Sequence, residues 1–283
     1  MTDAGITTRL LDGVHLSADL VKCGADRLMV TFDCRRQDRD GFGPVVPSEQ
    51  FARAGFDQPM IAARDNDWFI NTDTVALESV CRDLRNNYHA AQAIGLSMDG
   101  FGAFRFSRVL GLSHVVAVSP QVSIAPQRVP FETRYQQEAR RFDPGLGDLT
   151  AISDDRLRGE ILIDPFNLNV LTHARMLQVL FLRVALFRLP GGGHPCTRIL
   201  RGAKLAGLIH ARAIAPARGP SPVQAAHRTA PPARKAPSIG SDCSVPPQRV
   251  TPFGPASRGK TPRNWRMPRR TGLTATGILR RRC

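Results

Sequence analysis

The sequence predicts an α/β fold with a mostly parallel sheet flanked by helices, followed by a basic tail. Short apolar, β-branched runs alternate with longer stretches of helical spacing through the first 216 residues, the pattern left by successive β/α units. Hydrophobic residues make up 42% and charged residues 22% of the 283, which suits one sizeable core and excludes a collagenous, coiled-coil or wholly disordered chain. The net charge of +15 is unevenly spread. Residues 1–216 carry 25 basic and 23 acidic side chains, whereas residues 217–283 carry 14 basic and one acidic, Asp242. Those last 67 residues also hold 11 of the 22 prolines, so they lack the backbone donors that helices and sheets need. A body over 1–216 and a disordered Arg/Pro-rich tail over 217–283 are therefore expected.

The elements follow in order along the body. Residues 28–32 read as a buried strand ending at Asp33, and a charged, Gly-containing loop runs on to Gly43. A short helix is expected from the cap residue Ser48 to Ala54, closed by Gly55. Residues 59–63 form a second strand, after which a loop leads through Trp68. Val75, Leu77, Val80 and Leu84 have the spacing of a helix over 73–86 with one face on a sheet. Residues 91–95 are a third strand that runs directly into Ser97, a helix over about 100–110 follows, and 115–119 are a strong strand. Residues 120–158 lose the alternation, contain four prolines and read as a partly helical excursion where a lid or cap would sit. The alternation resumes with a strand at 160–164, a helix near 171–180, a strand at 184–189, the glycine loop Gly191–Gly193 before His194, and a last helix over about 197–213.

The six cysteines, Cys23, Cys34, Cys81, Cys196, Cys243 and Cys283, form no CxxC pair and have no histidine at metal spacing, so neither a zinc site nor a disulfide framework is indicated. A reduced, cytoplasmic protein is expected. Asp3, Asp12 and Asp19 interrupt the N-terminal twenty residues and argue against a secretory signal. The most apolar later stretch, 170–190, is broken by His173, Arg175, Gln178, Arg183 and Arg188, which argues against a membrane span.

One constellation can carry chemistry. A G-x-S triplet by itself is expected about once by chance in such a length, but Gly95, Leu96 and Ser97 stand at a strand-to-helix junction with Gly100 and Gly102 close behind. Such a turn lifts a hydroxyl above the sheet edge and aims the next helix N-terminus, with the Met98 amide, at a developing oxyanion. A serine nucleophile needs a base, and the base an orienting carboxylate. Asp164 ends a later strand, and His194 follows the next one after the glycine bend. Carboxyl ends of strands are where open α/β sheets bind ligands.

At these residues the chain resembles the α/β-hydrolase superfamily, in particular small bacterial esterase-like members with a G-x-S-M-G-G-[YF]-x-A elbow. The match runs from Gly95 through Ser97, Met98, Gly100 and Phe101 to Ala103, within a likeness covering about residues 25–215. The resemblance implies Ser97 as nucleophile, His194 as base and Asp164 as its acid, an acyl-enzyme cleaved by water, and no metal or organic cofactor. It also implies a second oxyanion donor from the loop after the early strand, a backbone amide at Asp33 or Cys34, and a small-molecule acyl substrate. Asp99 departs from the pattern, standing where the elbow has its second glycine. Aimed at the site it would oppose a developing oxyanion; capping the next helix it would be harmless.

Each of these residues also has a plainer reading. Asp164 before Pro165 is a common helix start, with Asp154 and Asp155 as spare acids on the preceding loop; Trp68, beside Asp65 and Asp67, either lines an acyl pocket or, as a lone aromatic more often does, packs; and His173 reads as a surface or satisfied core residue. Asp33, Asp38 and Asp40 have no partners at metal-binding spacing. The tail's arginines invite nucleic-acid binding, yet Phe253 and Trp265 are its only aromatics and no recognition module is visible. Its composition is also that of GC-rich DNA read without selection for folding. The expected function is a serine hydrolase acting on ester-type bonds; the alternatives are an inactive scaffold of the same fold and a tail-mediated nucleic-acid binder.

Overall fold

The computed structural model describes residues 6–216 and 221–231. The remainder of the expected tail, with Cys243, Phe253, Trp265 and Cys283, lies outside the described residues.

Strands β1 (Ile6–Asp12), β2 (Leu16–Lys22), β3 (Arg27–Phe32), β4 (Gln58–Ala63), β5 (Ala90–Leu96), β6 (Leu112–Val118), β7 (Arg158–Ile163) and β8 (Arg183–Arg188) form one sheet in the order β1-β2-β4-β3-β5-β6-β7-β8. β2 runs antiparallel to both of its neighbours, and every pairing from β4 to β8 is parallel. The helices are α1 (Glu49–Arg53), α2 (Thr74–Asn87), α3 (Met98–Arg105), α4 (Ser107–Leu110), α5 (Gln136–Ala139), α6 (Leu168–Leu180), α7 (Arg198–Gly202), α8 (Gly207–Ile214) and α9 (Pro222–Thr229). This is the mostly parallel sheet flanked by helices that the alternation predicts.

The core explains why the strands read as continuous apolar runs. Both faces of the parallel strands are covered, so successive side chains go to opposite layers and most are apolar, with Gln58, His114 and Glu160 the buried exceptions near the strand starts. Val30, Val115, Ala117, Ile161 and Ile163 pack beneath Leu77, Phe101, Phe104 and Leu177 of α2, α3 and α6. Met29, Val116, Val118 and Leu162 turn the other way, toward Phe51, Leu200, Ile209 and Val223 of α1, α7, α8 and α9.

Three differences from expectation have physical causes. The β1–β2 hairpin is absent from the predicted elements because β2 buries Ser17 and Asp19 among its apolar residues, Asp19 accepting a 2.7 Å hydrogen bond from Arg9. The expected helices over 100–110 and 197–213 are each two helices, the first pair meeting at Phe106 and the second separated by a loop with Lys204 at φ 58°. Third, order continues beyond the expected boundary at Pro216. Ser221 Oγ donates to Glu160 Oε2 at 3.3 Å, and α9 buries Val223 and His227. So short a helix has too few apolar residues to give a periodic signal in a Pro/Ala-rich context. Glu160, buried on β7, also accepts from Arg212 of α8, and an ion pair buried this way needs its remaining hydrogen bonds filled. Among the described residues no helix is long and apolar enough to cross a membrane.

A chain ending after Pro216 should therefore unfold at lower urea concentration than one ending after Pro231, by about 2 kcal/mol or more for the lost Val223 packing and the vacated Glu160 contact. Equal midpoints would show that α9 contributes nothing to the body.

Candidate active site

The carboxyl ends of β3 to β8 bring together the residues that the sequence singles out. Ser97 follows β5 with φ 61° and ψ −115°, a backbone that L-residues seldom adopt. Gly95 permits the turn: a Cβ there would lie 2.5 Å from the carbonyl carbon and oxygen of Asp99 and 2.6 Å from the Gly100 nitrogen. Ser97 N donates to Val118 O at 2.8 Å, and Phe101 N to Ser97 O at 3.1 Å, so the turn is tied to β6 on one side and opens α3 on the other.

His194 Nε2 lies 3.0 Å from Ser97 Oγ. It arrives on the glycine loop after β8, where Gly191 and Gly193 have φ 75° and 78°. His194 is exposed as a residue, but protein packed around its ring and the nearby Arg134 charge push its pKa down, to about 4. Burial disfavours imidazolium, and Glu132 opposes the shift only in part. The imidazole is neutral at pH 7.

Asp164 is buried at the end of β7. Its Oδ2 accepts from the amide of Gly193 at 2.9 Å and its Oδ1 from that of Phe166 at 3.1 Å. Among the described residues no hydrogen bond or ion pair joins it to the His194 ring. It holds the loop one residue before the imidazole, and in the same place begins the turn into α6, where Asn167 is the cap residue and accepts from Val170 N.

Of the three candidate oxyanion amides, that of Asp33 is engaged in the sheet, donating to Ile61 O at 2.8 Å. Those of Met98, at the first position of α3, and Cys34, after β3, donate to no backbone carbonyl among the described turns and loops, the Cys34 amide facing its own thiol. Asp33 instead receives Arg36 and Arg39 on its carboxylate, and Arg39 also donates to the Cys34 carbonyl, fixing the loop.

Asp99 does not cap α3, which begins one residue earlier at Met98. It is 7% exposed, and its Oδ1 has no hydrogen-bond partner among the described residues. Burial raises its pKa to about 8, with the Asp33 charge adding to the shift, so the carboxyl is neutral at pH 7.

Two side chains complete the cluster, both from the 120–158 excursion, and sequence reasoning named neither. Gln121 Nε2 donates to Ser97 Oγ at 3.1 Å and to Ser119 O at 3.2 Å, while its Oε1 accepts from Trp68 Nε1 at 3.1 Å. Tyr135 places its hydroxyl 3.3 Å from His194 Nε2 and in reach of Ser97, with its ring 4.7 Å from that of Trp68. The available signal for Gln121 was its position, two residues after the strand-end Ser119. Tyr135 had none, since an irregular segment gives no register.

Behind them Glu132 accepts from Arg134 and, at 3.0 Å, from His173 Nε2, while His173 Nδ1 accepts from Val122 N at 3.3 Å. His173 is thus a satisfied core residue with its proton on Nε2, tying the excursion to α6. Its burial lowers its pKa. Among the described residues no group of three His, Cys, Asp or Glu is placed to hold a metal ion.

No protein-family model and no curated protein matches the chain. Among solved structures it is similar to a capsule O-acetyltransferase of Neisseria meningitidis serogroup A in complex with CoA, at 14% identity and TM-score 0.47, over 67% of this chain and 90% of that one. An esterase of Pyrococcus furiosus is similar at 11% identity and TM-score 0.45, over 75% and 92% of the two chains. A fluorophosphonate-binding serine hydrolase of Staphylococcus aureus is similar at 11% identity and TM-score 0.41, over 66% and 91%. Likeness at this level carries no chemistry with it.

The Asp99 shift has a consequence for stability. The folded chain holds this proton more tightly than the unfolded chain, whose carboxyl titrates near 3.8. The stability it contributes is full below that value and is lost as pH rises toward about 8. Asp99→Asn, neutral throughout, should gain on the native protein by on the order of 1 kcal/mol per pH unit between pH 5 and 8. Chemical denaturation across that range measures it, and a pH-independent difference would place the Asp99 carboxyl in water.

Proposed function

We propose that the protein is a serine hydrolase that cleaves a small-molecule ester-type substrate through an acyl-enzyme. The observation that carries this reading is a serine hydroxyl on a strained strand-to-helix turn, 3.0 Å from the Nε2 of a neutral imidazole. In the proposed reaction Ser97 Oγ attacks the acyl carbon as its proton passes to His194 Nε2. The carbonyl electrons move to oxygen, which the amides of Met98 and Cys34 receive. The tetrahedral adduct collapses, and the leaving group departs with the proton from Nε2. Water then repeats the sequence on the acyl-enzyme, returning Ser97 and releasing the acid. The chain's own groups suffice for each proton transfer.

Asp164 is proposed to act on the base through the loop, by holding Gly193. The neutral state of Asp99 supports activity over the scaffold alternative, because no fixed negative charge then opposes the oxyanion at pH 7. Gln121, Trp68 and Tyr135 already fill one side of Ser97, which favours a short acyl group. No described residue bears on nucleic-acid binding through the tail.

A fluorophosphonate probe should label the native protein and leave Ser97→Ala unlabelled, and Ser97→Ala should lose at least about 10³-fold in turnover of a short p-nitrophenyl ester. Absence of Ser97-dependent labelling and of turnover would overturn the enzyme reading. Because His194 must be neutral to take the proton, the rate should fall on the acid side with a midpoint below 6.5; a midpoint at or above that value would contradict the lowered imidazole pKa.

A further inference from the structure

We propose that Gln121 is a catalytic residue of this site: its amide donates a hydrogen bond to Ser97 Oγ and stabilises that oxygen as it loses its proton, while Trp68 fixes which end of the amide faces the serine. The inference rests on the reading of Ser97 as nucleophile and adds a donor directed at the attacking atom, distinct from the backbone donors aimed at the carbonyl oxygen.

The two ends of a glutamine amide are alike in shape, so the partners must decide its orientation. Here they leave one solution. The indole Nε1–H of Trp68 can only donate and therefore takes Oε1, at 3.1 Å. The carbonyl of Ser119 can only accept and therefore takes Nε2, at 3.2 Å. Gln121 is fully buried, and the second hydrogen of Nε2 is directed at Ser97 Oγ, at 3.1 Å. With a donor imposed on it, the hydroxyl keeps its own hydrogen for an acceptor, and His194 Nε2 at 3.0 Å is the neighbour able to take the proton away, with the Tyr135 hydroxyl standing beside both. Trp68 is itself held by a rare backbone, at φ 56° beside Phe69 at φ 61°, with both side chains fully buried.

A hydrogen bond strengthens when its acceptor gains charge. Oγ accepts most strongly in the alkoxide-like moments when it attacks and when it leaves, and more weakly as hydroxyl or as ester oxygen. The Gln121 donor thus favours both the acylation and deacylation transition states over the ground states, and so should act on kcat, leaving KM unchanged. The N–H bond of Gln121 stays intact; the proton in transit is the one from Ser97 to His194.

The test compares native protein, Gln121→Leu, Gln121→Glu, Trp68→Phe and the Trp68→Phe/Gln121→Leu double variant, by fluorophosphonate labelling rate and steady-state hydrolysis of p-nitrophenyl acetate, with Ser97→Ala as the blank. Gln121→Leu should lose about 10- to 100-fold in kcat with KM within about twofold and the acid-limb midpoint unmoved. Gln121→Glu keeps the shape but replaces the donor by an acceptor and should lose at least as much. Trp68→Phe frees the amide to turn over and should lose less than Gln121→Leu. The double variant should be no worse than Gln121→Leu, because the indole acts through the amide. If Gln121→Leu or Gln121→Glu, folded by its circular dichroism, reacts at the native rate, the inference is overturned while the Ser97 reading stands. If the native protein itself shows no Ser97-dependent labelling, both fall.

Discussion

The backbone at Ser97 is held at φ 61° by an approach so close that no side chain fits at Gly95. Conformations of this kind cost about 1–3 kcal/mol and persist only where the surroundings over-determine them. Here the surroundings are the bonds from Ser97 N to β6 and from Phe101 N back to Ser97 O, together with an α3 that is buried along its whole length. One constraint thereby fixes three things: where the hydroxyl stands above the sheet edge, where the first amide of α3 points, and how α3 crosses β5. Relaxing the turn would move them together, so the site is as rigid as the β5–α3 packing beneath it.

The segment between β6 and β7 has little secondary structure, yet it is bound tightly where it counts. Val122 and Glu132 both reach His173 of α6, and Arg134 closes the group on the same carboxylate. His173 is buried and kept neutral, bonded through both nitrogens, so it acts as a spacer between loop and helix. Gln121 and Tyr135 stand on either side of this tie along the chain. A lid that opened as one piece would have to break a buried carboxylate–imidazole–arginine group, which is expensive once any member is left unpaired. These ties hold Gln121 beside Ser97 and Tyr135 beside His194.

How much of this was legible follows from what each part asks of the sequence. Parallel strands covered on both faces carry near-continuous apolar runs, and β3, β5, β6 and β7 were readable from such runs at 28–32, 93–96, 115–118 and 161–163. Ser97, Asp164 and His194 stood out because strand ends can be located once the strands are. The β1–β2 hairpin escaped because Ser17 and Asp19 are buried in β2, and a polar residue satisfied by Arg9 looks in sequence like an exposed one. Tyr135 reaches His194 across 59 residues of chain and Gln121 depends on Trp68 across 53, contacts that no local periodicity encodes. The charge boundary at Pro216 marked a real change of composition, but α9 needs only Val223, His227 and the Ser221 hydroxyl to hold it, too little apolar content to register as a helix.

The placement of Asp164 bears on how the proposed base is controlled. A carboxylate on Nδ1 would raise the basicity of the imidazole; a carboxylate on the Gly193 amide leaves basicity to the surroundings, and these depress it. A weaker base returns its proton to a leaving group more readily, so this arrangement suits substrates whose leaving group needs protonation more than it suits a sluggish nucleophile. The nucleophile then needs help from another quarter, and the amide of Gln121 on Ser97 Oγ is the group in position to give it. On this view the depressed imidazole and the added donor are one adjustment: charge stabilisation shifts from the base's partner to the serine's.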